Sequence, residues 1–274
     1  MNSVLLGMLA ETAIHPGSGR TGGVIDLPVA REGATDYPFI AGSSLKGALR
    51  ERTESEVEGG KALAERWFGK ADSAGALLVS DARIVLLPVR SLTGSYRWVT
   101  CPHVIERLQR DMRRARLQYG AAIPAPDKGT VLTQGSDAIY LEELQFTIAG
   151  QPDARLVADL RGLIRHDDTA ARLERTLAVA HDDDFAWFAR YALPVQARNV
   201  LDDNTKQSLN LWYEETLPAD TVMYAIVASR GDLARQAVDF LFQSDTYLQI
   251  GGNETVGEGW FAVSITDKEA EPKS

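Results

Sequence analysis

The sequence predicts an α+β fold, with helices packed on an antiparallel sheet in a ferredoxin-like core that carries insertions. The chain opens in the order strand, helix, strand, and it closes with a helix followed by a strand pair. No repeat at a fixed period is evident, which argues against a solenoid.

Ser3 to Ile14 reads as a buried first strand. The next stretch, Pro16-Gly17-Ser18-Gly19-Arg20-Thr21-Gly22-Gly23, holds too much glycine for regular structure and is a loop. After Asp36 to Ile40, Gly42-Ser43-Ser44 leads into Leu45, Ala48 and Leu49 at helical spacing, with a serine placed to cap the free N–H groups. Residues 61–68 form a second short helix, and 76–90 are rich in valine, leucine and isoleucine, as a strand should be. Val104, Ile105, Leu108, Met112 and Ala115 make the apolar stripe of a helix whose other side carries arginines, Pro102 being acceptable in its first turn. Segment 119–138, broken by prolines and glycines, reads as a long loop or inserted lobe. Beyond it, 139–148 is extended, 153–191 mostly helical, 193–200 and 207–217 extended, 221–228 a strand and 232–243 a helix. Residues 246–265 follow as strand, glycine loop and strand. The expected organisation is one domain over 1–265 with a flexible, charged tail at 266–274.

A chain of 274 residues that is 45% hydrophobic and 24% charged can bury a sizeable core. Its one cysteine, Cys101, excludes an intramolecular disulfide and a cysteine-built zinc site, and suits a reducing compartment. The N-terminus lacks a basic region and runs into Glu11, unlike a signal peptide. No apolar stretch approaches the roughly 18 residues of a membrane helix. The expectation is a soluble, cytoplasmic protein without a membrane partner. The net charge of -9 argues against a general nucleic-acid binder. Charge is clustered, however: Arg107, Arg110, Arg113, Arg114 and Arg116 crowd one segment, while acid gathers in 166–184, 202–203 and 267–271. A local groove can still hold RNA.

Gly17-Ser18-Gly19-Arg20-Thr21-Gly22 has the glycine spacing of a dinucleotide-binding loop, but Val24, Ile25 and Pro28 follow where that motif needs a helix. Gly42 and Gly47 are spaced as in a phosphate-binding P-loop, yet Ala48 and Leu49 stand where lysine and serine or threonine belong. What survives is a helix N-terminus with Lys46 and Arg50 beside it, suited to a phosphate of a chain, or else a serine-capped helix with solvated cations. A third glycine-rich segment, Gly251-Gly252-Asn253-Glu254-Thr255-Val256-Gly257-Glu258-Gly259, lies between two extended stretches and either lets backbone pass close to a ligand or is a flexible hairpin tip.

Four pieces in order, His15-Pro16-Gly17-Ser18-Gly19, Gly23-Val24-Ile25-Asp26-Leu27-Pro28, Phe39 to Arg50 and the 251–259 loop, resemble the RAMP superfamily of CRISPR effectors. Leu248 to Gly257 and Leu211-Trp212-Tyr213-Glu214-Glu215 look most like the backbone subunit of its type III-B, or Cmr, complex. The likeness spans residues 1–58 and about 194–265; the middle, 101–190, matches less clearly. It implies a modified ferredoxin-like, RNA-recognition-type core with an inserted thumb, copies stacked head to tail on a CRISPR guide RNA beside other Cmr subunits, and cutting of the paired target RNA. Asp26 stands at the position of the family's catalytic aspartate, which implies Mg²⁺ or another divalent cation there. Ser43, Ser44 and Lys46 stand where the family touches the guide backbone. Arg20, Arg50, Gly251, Gly252, Gly257 and Gly259 join them as candidate RNA contacts.

RNA carries its own nucleophile, so aligning a 2′-OH on the adjacent phosphate and stabilising the developing charge is sufficient chemistry. A carboxylate holding a divalent ion serves that end, the role given to Asp26. Asp26 could instead bond its own loop. His15 is either a general base or a hydrogen-bonding loop residue, and Glu254 either lines a shared active site or is solvated. His166-Asp167-Asp168 and His181-Asp182-Asp183-Asp184 are more simply helix caps than metal ligands. A non-catalytic filament subunit and a stand-alone processing ribonuclease with His15 as base are the rival functions.

Overall fold

Asn2–Ala10 (β1) reads as an unbroken apolar run because it is covered on both faces: Val4, Leu6 and Met8 enter one core, and Leu5 and Leu9 the other. The computed structural model describes residues 2–19, 23–56, 59–117, 120–202 and 204–266, so Arg20 and the tail from Asp267 lie outside the described residues. Phe39–Ile40 (β2) leads into helices Gly42–Glu56 (α1) and Gly60–Phe68 (α2). Gly69–Lys70 (β3) and Ser73–Ala74 (β4) form a small hairpin, followed by Leu77–Val79 (β5), Ala82–Arg90 (β6) and Tyr96–Thr100 (β7). Next come Pro102–Arg114 (α3), Thr130–Thr133 (β8), Ala138–Leu141 (β9) and Leu144–Gly150 (β10). Ala154–Arg161 (α4), Asp167–Thr176 (α5), Leu177–Ala180 (β11) and Asp182–Tyr191 (α6) complete the middle of the chain. The last third holds Val195–Leu201 (β12), Ser208–Glu215 (β13), Val222–Ser229 (β14), Leu233–Leu241 (α7), Tyr247–Gln249 (β15) and Trp260–Thr266 (β16).

Among the described residues one large sheet runs in the order β15-β16-β1-β14-β6-β7-β11-β8-β10-β9. Its first part is antiparallel throughout, β1 pairing with both β14 and β16 and β6 with β14. The extension is not: β11 runs parallel to β7, and β10 parallel to β8, so the sheet is mixed where an antiparallel one was expected. Leu45 and Leu49 of α1, Phe185 and Phe188 of α6, and Val238 of α7 cover one face. Ile105 and Leu108 of α3, Leu160 of α4 and Leu173 of α5 cover the other. Each such side chain, taken from water, contributes roughly 1.5–3 kcal/mol.

The middle departs most from expectation. Residues 153–191, expected mostly helical, contain the fully buried strand β11, and the 119–138 loop contains β8. β7 was not foreseen. The β12–β13 hairpin stands apart from the large sheet, and Leu209, Leu211 and Tyr213 lie exposed along it.

Candidate functional site

The first and last glycine loops meet at His15. Its carbonyl accepts hydrogen bonds from the N–H groups of Gly17 and Gly252, each at 3.0 Å. The Gly259 N–H donates to Ala13 O at 2.9 Å, so the 251–259 loop is fastened to the first loop, not a free hairpin tip. The His15 ring is buried, with Nδ1 2.8 Å from Glu215 O and 3.6 Å from Glu214 Oε1. Beside it a cavity of about 460 Å³ is lined by His15, Gly17, Ser44, Gly251, Gly252 and Glu254 among others. Candidates from three distant segments of the sequence thus converge. Gly257 and Gly259 do not line this cavity.

Two carboxylates that sequence reasoning did not single out as site residues hold this junction. Glu214 and Glu215 end β13 and are both buried. Glu214 lies 3.4 Å from Arg198 of β12 and accepts from Asn253 of the last loop, while Arg198 also pairs with Glu258. Glu215 accepts from Arg31 at 2.8 Å and from the Val29 N–H at 3.1 Å. Arg31 in turn donates to the carbonyls of Asp36 and Ala189. Buried charge is tolerated here because each member is paired and hydrogen-bonded.

Asp26 lies on the segment that β13 holds. Leu27 N–H donates to Tyr213 O at 3.1 Å, Glu215 N–H to Leu27 O at 3.0 Å, and Asp26 Oδ2 accepts from the Tyr213 N–H at 2.8 Å. Its carboxylate therefore binds β13 and not its own loop. Among the described residues Oδ1 accepts no hydrogen bond, and the adjoining Val24 is 95% exposed. Asp26 does not line the His15 cavity; it stands at the base of the β12–β13 hairpin. Among the described residues no group of three or more histidine, cysteine, aspartate or glutamate side chains is placed to hold a metal. A single carboxylate oxygen left without a hydrogen bond would suit a hard cation that keeps most of its waters.

On α1, Ser43 and Ser44 lie exposed in the first turn, and the Gly42 N–H is held by Asp81 Oδ1 at 2.7 Å, so Asp81 and not a serine satisfies the start of this helix. Lys46 has no ion-pair partner among the described residues and lines a second cavity with Lys70. Arg50 is committed to Glu54 at 2.8 Å and to Gly69 O at 2.6 Å. Of the arginines of α3, Arg107 pairs with Glu32 inside the fold, while Arg110, on Glu106, and Arg114, on Asp111, remain exposed. His166 meets Glu11 at 2.7 Å, and the His181 side chain caps α6 by accepting from the Asp183 N–H at 3.1 Å. Cys101 is buried, and burial pushes its thiol up, away from the reactive thiolate. No helix among the described residues is long and apolar enough to cross a membrane.

Comparison with known proteins is consistent from end to end. The RAMP superfamily pattern matches residues 8–262. A protein of Pyrococcus furiosus named CRISPR system Cmr endoribonuclease Cmr4 is 32% identical over 97% of each chain. The crystal structure of oligomeric Cmr4 from that organism superposes with a TM-score of 0.77 at 28% identity, covering 99% of this chain and 100% of the other. A chain of a type III-B Cmr-beta complex bound to cognate target RNA superposes at 0.79 with 19% identity, covering 97% of each chain, a likeness of fold.

Proposed function

The chain belongs to the RAMP superfamily, and on that premise we propose that it is a cytoplasmic RNA-binding subunit of a type III-B CRISPR effector that cuts guide-paired target RNA. Copies stack head to tail along the guide beside other Cmr subunits. Asp26 is the active-site carboxylate. The observation that carries this assignment is the Asp26 carboxylate itself: one oxygen fixed by the Tyr213 N–H, the other without a hydrogen bond among the described residues, on a half-buried segment fastened to a buried network. That arrangement supplies an oriented charge without rebuilding the loop at each turnover. The order β16-β1-β14-β6, with α1 and α7 on one face, supports reading the first part of the sheet as a modified ferredoxin-like core. The protruding β12–β13 hairpin is the natural candidate for the thumb.

In the proposed reaction the 2′-oxygen of the target attacks the adjacent phosphorus as its proton passes to water, and the P–O5′ bond breaks as the departing 5′-oxygen takes a proton from water. The products carry a 2′,3′-cyclic phosphate and a 5′-hydroxyl. Mg²⁺ or another divalent cation, when bound, supplies Lewis-acid stabilisation of the phosphate charge. Asp26, with the RNA phosphates, would hold it. Lys46 and the exposed serines of α1 contact the guide backbone. A target carrying 2′-deoxy sugars only at the cut positions is expected to resist cleavage while binding normally. Cutting of that target would rule out 2′-OH attack.

A further inference from the structure

The cavity at the junction of the glycine loops has a feature that the cutting chemistry leaves unused. His15 is only 7% exposed, and its Nδ1 is 2.8 Å from the Glu215 carbonyl oxygen. A carbonyl only accepts, so in the neutral ring Nδ1 carries the proton and Nε2 is an acceptor. Among the described residues Nε2 has no hydrogen-bond partner. It faces Gly17, where an added Cβ would lie 2.8 Å from it, so the glycine keeps this edge of the ring open. Both residues line the cavity.

The other lining groups say what kind of ligand fits. Ser44, Glu51 and Glu254 contribute oxygens, Ile40, Ala48 and Ile250 an apolar wall, and among the described residues neither lysine nor arginine lines it. A phosphate inside would face the carboxylates of Glu51 and Glu254; a neutral group bearing hydroxyl donors would find acceptors. A volume of about 460 Å³ falls in the range of small-molecule sites, roughly 300–1,000 Å³. Ser44 places the cavity against the first turn of α1, beside the helix that carries Lys46.

We propose that this cavity takes one ribose of the guide strand, its 2′-hydroxyl donating to His15 Nε2, which makes His15 the residue by which the subunit distinguishes RNA from DNA. This rests on the RNA-binding function proposed for the chain. His15 is then a specificity residue for the guide, not the base of the cutting reaction.

The test compares a single-stranded guide RNA with the same strand carrying 2′-fluoro sugars, which remove the hydroxyl donor, bound to the full chain at one salt concentration. The wild type is expected to bind the fluoro strand about threefold to tenfold more weakly per seated subunit, the size of one hydrogen bond. His15→Asn keeps an amide donor for Glu215 O and deletes Nε2. Gly17→Ala keeps the imidazole but sets a Cβ 2.8 Å from Nε2, which blocks that edge of the ring. Both variants are expected to bind the two strands alike, at the wild type's affinity for the fluoro strand. If either variant unfolds, the other decides. A wild type indifferent to the fluoro sugars, or a preference that persists in a folded variant, overturns the proposal. So does a preference that follows fluoro sugars in the target strand rather than the guide. A wild type that binds neither strand would instead strike at the RNA-binding function.

Discussion

Glu215 occupies both carboxylate oxygens, with Arg31 on one and the Val29 N–H on the other, and so ties the Asp26 segment to β13. Removing one partner of a buried pair leaves the other charge uncompensated. Glu215→Ala is expected to lower stability by about 3–5 kcal/mol in denaturant unfolding; a loss under 1 kcal/mol would mean water replaces the carboxylate. Lys46 and Arg50 separate cleanly at this scale. Lys46→Ala should reduce the slope of log affinity against log salt by about 1 and leave the melting temperature unchanged. Arg50→Ala should lower the melting temperature, because Arg50 joins α1 to Gly69 and pairs with Glu54 one turn along the helix. Equal effects from the two would show that Arg50 leaves its partners for RNA. The chemistry-bearing candidates were visible as residue types in glycine-rich company. Glu214 and Glu215 were not, because a carboxylate reads as solvent-facing until its partners are known, and His15 and Arg31, which meet them, lie far earlier in the chain, Arg31 184 residues before Glu215.

Among the elements, those with clear periodicity and punctuation were legible: β1, α1, α2, α3, β14 and α7 all lie close to where the apolar pattern and the glycines put them. β11 was not, since four buried residues, Leu177 to Ala180, between two helices carry no period that separates strand from helix. The basic face of α3 misleads for a different reason. Arginine reads as surface, yet Arg107 lies under the fold on Glu32. Burial alone would raise the Glu32 carboxyl, but its hydrogen bonds and charge interaction with Arg107 prevail and hold it below the ordinary 4.5. The folded state therefore takes up this proton at lower pH than the unfolded chain does. The pair stabilises at neutral pH, and the contribution fades as pH falls below 4.5 through the folded value. Melting curves of the wild type and Glu32→Gln should differ at pH 7 and converge in acid; a gap independent of pH would contradict the pairing. In β1 a Cβ at Gly7 would lie 2.3 Å from Leu163 O and 2.6 Å from Leu163 Cα. Backbone cannot yield as a side-chain tip can, so Gly7→Ala is expected to cost about 3 kcal/mol.

At the scale of the molecule, the charge of -9 and a role with RNA are compatible because charge is unevenly placed and a local surface need not follow the whole-chain sum. The arginines of α3 answer acids within the chain, Lys46 is left open on α1, and the cavity at His15 presents acceptors suited to sugar. The chain's two ends supply β1, β14 and β16 and bring both glycine loops to one place, while the middle extends the sheet away from them. Hence the ends carry nearly all the candidate site, and the segment least readable in sequence lies farthest along the sheet from it. In the division of labour we propose, Asp26 cuts and the remainder of the site holds RNA. The most direct test of that division assembles the complex with wild type or Asp26→Asn, adds guide, Mg²⁺ and end-labelled complementary RNA, and resolves the products at single-nucleotide length. Evenly spaced cuts with the wild type, and none with Asp26→Asn at undiminished guide binding, are the expected result; the same cuts from both proteins would contradict it.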